Sequence, residues 1–294
     1  IAANEDVPQP QTREHLLSLQ MLGMKHVVIA QNKLDLVNDK EAEKNYRAIK
    51  KFAKGTVAEN APIIPVSGHH KLNIDALIGA IEEYIPTPKR QTKKKPLMQT
   101  LRSFDVNRPS MKVSQICGGV IGGTLIEGEF NVGDEIALKP GLLDEGTNKY
   151  NPITTTITSL GTSVGLVENV KTGGLVALGT TLDPTVTRAD SLLGSVVGLP
   201  NDLPLVHNSL KIETQLLDMA VGAPEMIKVE KIRQGEVLRL NIGTAVTLGS
   251  VGSTNGNIIS INLKRPICAA LGTRVAVTRR IADRWRLIGS GIII

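Results

Sequence analysis

Aromatic side chains are nearly absent: Phe, Tyr and Trp make up 2% of the 294 residues. Any core must therefore be built from Val, Ile, Leu and Ala, for which a 41% hydrophobic content suffices. The same scarcity argues against a sheet that stacks unpaired bases on aromatic platforms, and leaves shape and phosphate contacts as the way to read a nucleic acid. Cysteine is scarce too. Cys117 and Cys268 lie far apart, and no Cys pair or Cys/His cluster has metal-ligand spacing, so neither a disulfide framework nor a structural zinc is expected. No apolar run reaches membrane-spanning length, and no signal peptide is visible, which leads to a cytoplasmic protein without membrane partners. Charge of one sign does not dominate: the net +6 and pI of about 9.3 fit an anionic partner without requiring one. The chain opens at Ile1 without Met, and Ile1-Ala2-Ala3 reads as a strand already under way, so the true N-terminus is expected upstream.

Length alone allows two or three domains. Residues 1–88 alternate short apolar runs with helical patterns. Leu16, Leu17, Leu19, Leu22 and Met24 recur at roughly helical spacing, and a strand is expected over His26–Ala30. A charged helix follows over Glu41–Ala53, then a strand over Ile63–Val66. Ile74, Leu77, Ile78 and Ile81 make one face of a last helix before Pro86. Such alternation predicts a parallel sheet flanked by helices. Pro86–Pro96 carries Lys89, Arg90, Lys93, Lys94 and Lys95 between prolines and reads as an extended basic linker, assigned to 89–96.

Beyond it the texture changes to short alternating runs rich in Val, Thr and Gly: Val132–Leu138, Thr154–Leu160, Val237–Ile242 and Arg274–Val277. Short strands between Gly turns predict β-barrels. Leu199–Pro204 divides them into 97–200 and 201–294. The predicted class is α/β, a partial parallel-sheet domain, followed by two all-β barrels.

Asn32-Lys33-Leu34-Asp35 follows the first expected strand. An Asn-Lys-x-Asp turn at a strand's C-terminal edge suits guanine. The Asp35 carboxylate accepts from N1 and the exocyclic amine, which adenine does not match, and an unpaired carboxylate would cost on the order of 1–3 kcal/mol or more. The Lys33 stem packs along the ring, and Asn32 ties loops together. Ser67-Gly68-His69 follows the next strand and can present backbone N–H groups, and the Ser67 hydroxyl, to guanine O6. His69 and His70 are expected as loop or surface residues. No Gly-x-x-x-x-Gly-Lys-Ser/Thr occurs, nor an Asp-x-x-Gly ahead of Asn4. The stretch therefore reads as a base-reading half-site with no catalytic residue, and is expected not to hydrolyse GTP by itself.

Ala2–Leu16, with its Pro8-Gln9-Pro10-Gln11-Thr12 run, resembles the segment after the second switch region of the initiation factor 2 gamma family of translational GTPases. Arg102–Pro109 and the glycine pattern from Gly118 to Gly123 resemble the opening of that family's first barrel. Asp183–Asp190 and Gly194–Gly198 resemble its end, and Thr278-Arg279-Arg280-Ile281 its C-terminal pattern. The resemblance covers essentially the whole chain. Gly68 stands where the family usually has Ala, and 215–229 is a weak match. The family implies GTP or GDP as ligand, with Mg2+ only where the phosphate-binding half is present. It implies alpha and beta subunits as partners, alpha on the first barrel and beta on the GTPase domain, and delivery of initiator methionyl-tRNA to the small ribosomal subunit, with the acceptor end between the GTPase domain and the first barrel. Within the basic set Lys264, Arg265, Arg274, Arg279, Arg280, Arg284 and Arg286, the pair Arg279 and Arg280 is expected to contact tRNA phosphates. The alternatives are an elongation-type or selenocysteine-specific factor, or a non-catalytic scaffold with a degenerate nucleotide site.

Overall fold

The computed structural model describes residues 1–21, 23–144, 146–221 and 227–294. Leu22 and residues 222–226 of the weakly matching 215–229 stretch lie outside the described residues. The chain divides into two compact units, one built mainly on Ile1–Pro88 and one holding most of both barrels.

In the first unit, α1 (Pro10–Met21), β1 (Ile29–Gln31), α2 (Asp39–Ala53), β2 (Ile63–Pro65) and α3 (Ile74–Tyr84) alternate. The strands are shorter than the apolar runs that announce them. β1 starts only at Ile29, and its pairing partner defines it: Ile29, Ala30 and Gln31 face Ile63, Ile64 and Pro65 in parallel. Ile1–Ala3 runs along the other side of β1, with Ala2 bridging Asn32 in parallel. α2 begins earlier than the charge pattern implied, because Asn38 and Glu41 cap it reciprocally: the Glu41 N–H donates to Asn38 Oδ1 at 3.0 Å, and the Asn38 N–H to Glu41 Oε2 at 3.2 Å. Asp39 and Glu41 at its start and Lys50 and Lys51 at its end suit the helix dipole. The α3 face read from periodicity is not covered: Ile78 and Ile81 are 56% and 41% exposed.

The second unit opens with β3 (Leu97–Phe104), β4 (Val120–Glu127), β5 (Glu129–Asn131), β6 (Glu135–Asp144), β7 (Lys149–Thr162), β8 (Gly165–Val167), β9 (Asn169–Lys171), β10 (Leu175–Thr180), the short α4 (Pro184–Thr187) and β11 (Val196–Gly198). The order β10-β4-β3-β11-β6-β7 closes on itself through β7 and β10, with β8 appended to β7. β12 (Val206–Val221), β13 (Val237–Ile242), β14 (Ala245–Asn255), β15 (Ile258–Cys268), β16 (Arg274–Ile281) and β17 (Arg284–Ile293) form a second closed barrel, β12-β15-β14-β13-β16-β17. Closure removes free sheet edges. The first barrel's core is aliphatic, with Met98, Ile121, Leu125, Ile136, Leu138 and Leu160 around Phe130, the one aromatic among the described buried hydrophobics.

The basic stretch before β3 is not a free tether. The Gly128 and Lys94 N–H groups both donate to Gln91 O, Lys94 pairs with Glu127, and Lys95 pairs with Asp202. These contacts fix it to the barrel unit. No described helix is long and apolar enough to cross a membrane.

Two neighbouring glycines of β4 have opposite surroundings. A Cβ on Gly123 would sit 2.1 Å from the backbone O of Gln99, whereas one on Gly122 would meet nothing nearer than 3.8 Å. Gly123→Ala should therefore destabilise the barrel by about 1–3 kcal/mol through overpacking, while Gly122→Ala should be close to neutral. Denaturant unfolding of both variants checks this, and equal midpoints would reject the close approach as the reason for Gly123.

Candidate functional site

Because β1 and β2 end level with one another, the loops that leave them emerge side by side. The Val66 N–H donates to Gln31 O at 2.8 Å and the Leu34 N–H to Val66 O at 3.3 Å, carrying the pairing into the loops. Beneath them lies a buried amide network. Gln31 Nε2 donates to Ala42 O and Asn45 Oδ1 at 2.8 and 2.9 Å. Asn45 Nδ2 in turn donates to the carbonyls of Ala2 and Glu5. These satisfied amides anchor the strand end to α2 and to the N-terminal segment.

Asn32 joins the two loops. Its Oδ1 accepts from the Lys33 N–H at 2.7 Å and from the Gly68 N–H at 3.0 Å. Lys33 takes the left-handed conformation, φ 64°, which turns the chain into the single 3-10 turn Leu34–Leu36 that carries Asp35. The second loop is closed by reciprocal bonds between Ser67 and Leu72, and Asn73 Nδ2 donates to Pro65 O at 2.9 Å.

The Ser67 hydroxyl does not face outward as the sequence suggested. Ser67 is buried; its Oγ donates to Asp35 Oδ1 at 2.5 Å and accepts from the His70 N–H at 3.2 Å. The hydroxyl so placed orients the Asp35 carboxylate. Asp35 itself is exposed, and the Ser67 hydrogen bond, more than any other influence, holds its carboxyl below the usual carboxylate range. With Ser67, Gly68, His70 and Leu72 engaged, the His69 and Lys71 N–H groups are the loop donors with no protein partner among the described residues, and His69 is the one next to Gly68 and the Asn32 tie. The His69 and His70 rings are exposed and meet edge to face at 4.7 Å. An alanine Cβ at Gly68 would lie 3.6 Å from Asn32 Oδ1, an ordinary contact, so the change from Ala is tolerated without moving the loop.

The arrangement is an open clasp: an oriented anionic acceptor, a free backbone donor and a lysine stem on one rim. That is the complement of a planar base with two adjacent donors and one acceptor. Lys33 has only a distant partner, Glu5 at 3.8 Å. A neighbouring concavity of about 580 Å3 touches Asp35 and Ser67 from the α2 side but is not lined by Asn32, Lys33, Gly68 or His69. Among the described residues no group of three or more His, Cys, Asp or Glu side chains converges to hold a metal. Sequence reasoning missed the Gln31–Asn45 network and the Asp35–Ser67 bond. Only their positions beside the strand ends could have signalled them.

Arg279 and Arg280 of the second barrel have different surroundings. Arg279 grips Glu236 through Nε and Nη2, at 2.5 and 3.1 Å, and donates to the carbonyls of Glu230 and Lys231. Its side chain is 16% exposed. Its donors are engaged by the 230–236 segment, which it holds, rather than turned to solvent where a phosphate contact was expected. Arg280 is exposed and has one bond, from Nη2 to Asp283 Oδ1 at 3.0 Å.

Comparison with known proteins agrees along the whole chain. The model of the elongation factor Tu GTP-binding domain matches residues 1–87, and that of the initiation factor eIF2 gamma C-terminal domain matches 208–293. Translation initiation factor 2 subunit gamma of Methanocaldococcus jannaschii is 52% identical over 295 residues, covering all of this chain and 72% of the relative. Its counterpart in Archaeoglobus fulgidus is 52% identical over 293 residues, covering all of this chain and 69% of the relative. Among solved structures, the apo form of elongation factor SelB from Methanococcus maripaludis superposes with a TM-score of 0.76 at 19% identity, over 100% of this chain and 64% of that one. A bacterial selenocysteine-specific elongation factor does so with 0.74 at 20% identity, over 99% and 44%. These two share the fold.

The clasp generates a pH prediction. The Asp35 carboxyl titrates below its ordinary value when folded, so its ionised, oriented form persists as pH falls and is lost only through that lowered pKa. Its contribution to stability is present above the unfolded value and lost as pH falls through the folded one. Ser67→Ala should raise the Asp35 pKa towards the ordinary range, read by carboxyl carbon NMR titration. An unchanged pKa would rule out the Ser67 hydroxyl as the orienting group.

Proposed function

The chain belongs to the translation initiation factor 2 gamma family, and from that premise we propose that it carries initiator methionyl-tRNA to the small ribosomal subunit under GTP control, as the core of a heterotrimer with alpha and beta subunits. Membership makes it a translational GTPase of initiation, with guanine nucleotide as its ligand class. The observation that carries the nucleotide reading is the clasp, in which Asp35, oriented by Ser67, and the open His69 N–H lie on adjacent loops tied by Asn32. Asp35 accepts from guanine N1 and the exocyclic amine. The Lys33 stem lies along the ring, and the Ser67-Gly68-His69 loop donates to O6 through its backbone. Mg2+ is expected only where the phosphate-binding half is present. The selenocysteine-specific alternative has the fold behind it, at about 20% identity. A scaffold with a degenerate site does not account for an intact set of Asn32, Lys33 and Asp35.

In the full-length protein, Asp35→Asn should weaken GTP by about 10- to 100-fold, the roughly 1–3 kcal/mol of a mismatched polar pair. It should favour xanthosine nucleotide, whose donor pattern is inverted. Fluorescent-nucleotide titration decides this, and equal GTP affinity in mutant and parent would refute the guanine site.

For tRNA, the exposed Arg280 is the phosphate contact we propose. Arg280→Ala in the heterotrimer should weaken methionyl-tRNA and reduce the salt slope by roughly one, with similar loss for altered acceptor stems because phosphates carry no sequence. Arg279→Ala should instead lower the unfolding midpoint, since it leaves Glu236 without its partner. An unchanged affinity and slope in the Arg280 variant would remove it from the interface.

A further inference from the structure

Lys264 and Arg265 belong neither to the Arg279 grip nor to the Arg280 turn. They line a cleft of about 860 Å3 inside the barrel unit, between the β6–β7 hairpin of the first barrel and β14 and β15 of the second. Its charge has one sign. Lys149, Lys264 and Arg265 line it, and its described lining contains no Asp or Glu. Lys149 and Lys264 are exposed and have no carboxylate partner among the described residues. Arg265 is held in place: Nη2 donates to Leu193 O at 3.0 Å, and the guanidinium carbon lies 6.0 Å from the centre of the Tyr150 ring. The backbone behind it is pinned as well, because Thr247 Oγ1 donates to Arg265 O and accepts from the Arg265 N–H. One cation is thus preorganised, and two more sit free at the cleft.

The walls between these cations are apolar. Leu143, Val206, Val246 and Leu263 face the same space, and Leu143 and Val246 are each 43% exposed. This mixture discriminates between anionic occupants. A phosphodiester strand would use the cations but set its own charge against apolar walls, where desolvation is uncompensated. A peptide that alternates carboxylates with apolar side chains would use both the charge and the walls, and the cleft's size is that of a ligand pocket. We propose that the cleft between the two barrels docks an acidic segment of a partner protein that carries apolar side chains between its carboxylates. The charge at the cleft fixes the segment's position, and the walls select against plain polyanions.

The test is fluorescence anisotropy on the full chain with a labelled dodecapeptide of Glu, Leu and Gly, the same peptide with Leu replaced by Ser, and dodecauridylate. The Leu-containing peptide should bind. The double charge reversal Lys149→Glu/Lys264→Glu should weaken it at least about tenfold, the 1.4 kcal/mol that like-charge juxtaposition readily exceeds. Val246→Gln, and Ser in the peptide, should each weaken it several-fold. The double reversal Lys40→Glu/Lys112→Glu, at exposed positions outside the cleft, makes the same change in net charge and should leave binding unchanged. The proposal is overturned if the Leu-containing peptide does not bind, if the double reversal leaves its affinity intact, or if dodecauridylate rather than the peptide loses the tenfold.

Discussion

The register of two short parallel strands governs the functional half of this molecule. Gln31 lies opposite Pro65, so the chain leaves both strands at one level. Asn32, one residue on from β1, then reaches Gly68, three residues on from β2, and Asp35 reaches Ser67. A slip of one residue would turn the Asn32 side chain to the other face and separate both pairs. Three residues per strand do not fix a register by themselves. The loop bonds beyond the strands, Val66 N–H to Gln31 O and Gly68 N–H to Asn32 Oδ1, extend the pairing, while the buried Gln31 and Asn45 amides hold the end of β1 against α2 and the N-terminal segment, where a shift would leave polar groups unpaired. The surface chemistry of the clasp is thus held by a core interaction that contains none of its functional residues.

The barrel unit solves a different problem. Both barrels close on themselves, and side chains and close backbone approaches connect them. Ala137, Val196, Leu203 and Cys268 make a small apolar cluster from elements of both, with Leu97 and Val206 packed against it. Burial there pushes the Cys268 thiol up to about 11, so this cysteine stays protonated and acts as a small hydrophobe. Lys95 pairs with Asp202, so the stretch that precedes the first barrel also ties to the segment that precedes the second. The junction is apolar at this cluster and cationic at the cleft, and the contrast leaves room for a ligand without weakening the join.

Much of the architecture was legible because period and punctuation agree with tertiary structure. Val237–Ile242 alternates in sequence and forms β13 at those bounds, with Leu238, Leu240 and Ile242 buried. The helix from Asp39 was misplaced by two residues, since its start is set by the Asn38–Glu41 cap rather than by the charge pattern. Periodicity identified the apolar face of α3 but not its exposure, because a repeat reports which residues share a face and not what covers it. The clasp was legible as residue types at strand ends. The direction of the Ser67 hydroxyl was not, since a serine beside a strand can serve the solvent or the next loop equally well, and only the Asp35 position opposite decides. The same limit governs Lys89–Lys95: sequence reads a run of charge between prolines as an extended linker and does not show that Glu127 and Asp202, remote in the chain, pair with two of its exposed lysines.

Net charge is the clearest case of composition misleading about mechanism. A surplus of +6 fits an anionic partner without saying which cations are free to meet it. The arginines and lysines instead divide by the partners that the fold gives them. A guanidinium has fixed donors in a planar fork, and once a carboxylate and two carbonyls take those donors, as at Arg279, its charge no longer recruits a phosphate. Arg280, the next residue along the strand, points to the other face of the sheet and keeps most of its donors in water. Adjacent arginines on one strand therefore have different surroundings, Arg279 engaged as a structural tie and Arg280 exposed. The charge left over after the fold has used its share lies exposed at Arg280 and at Lys149 and Lys264 around the cleft.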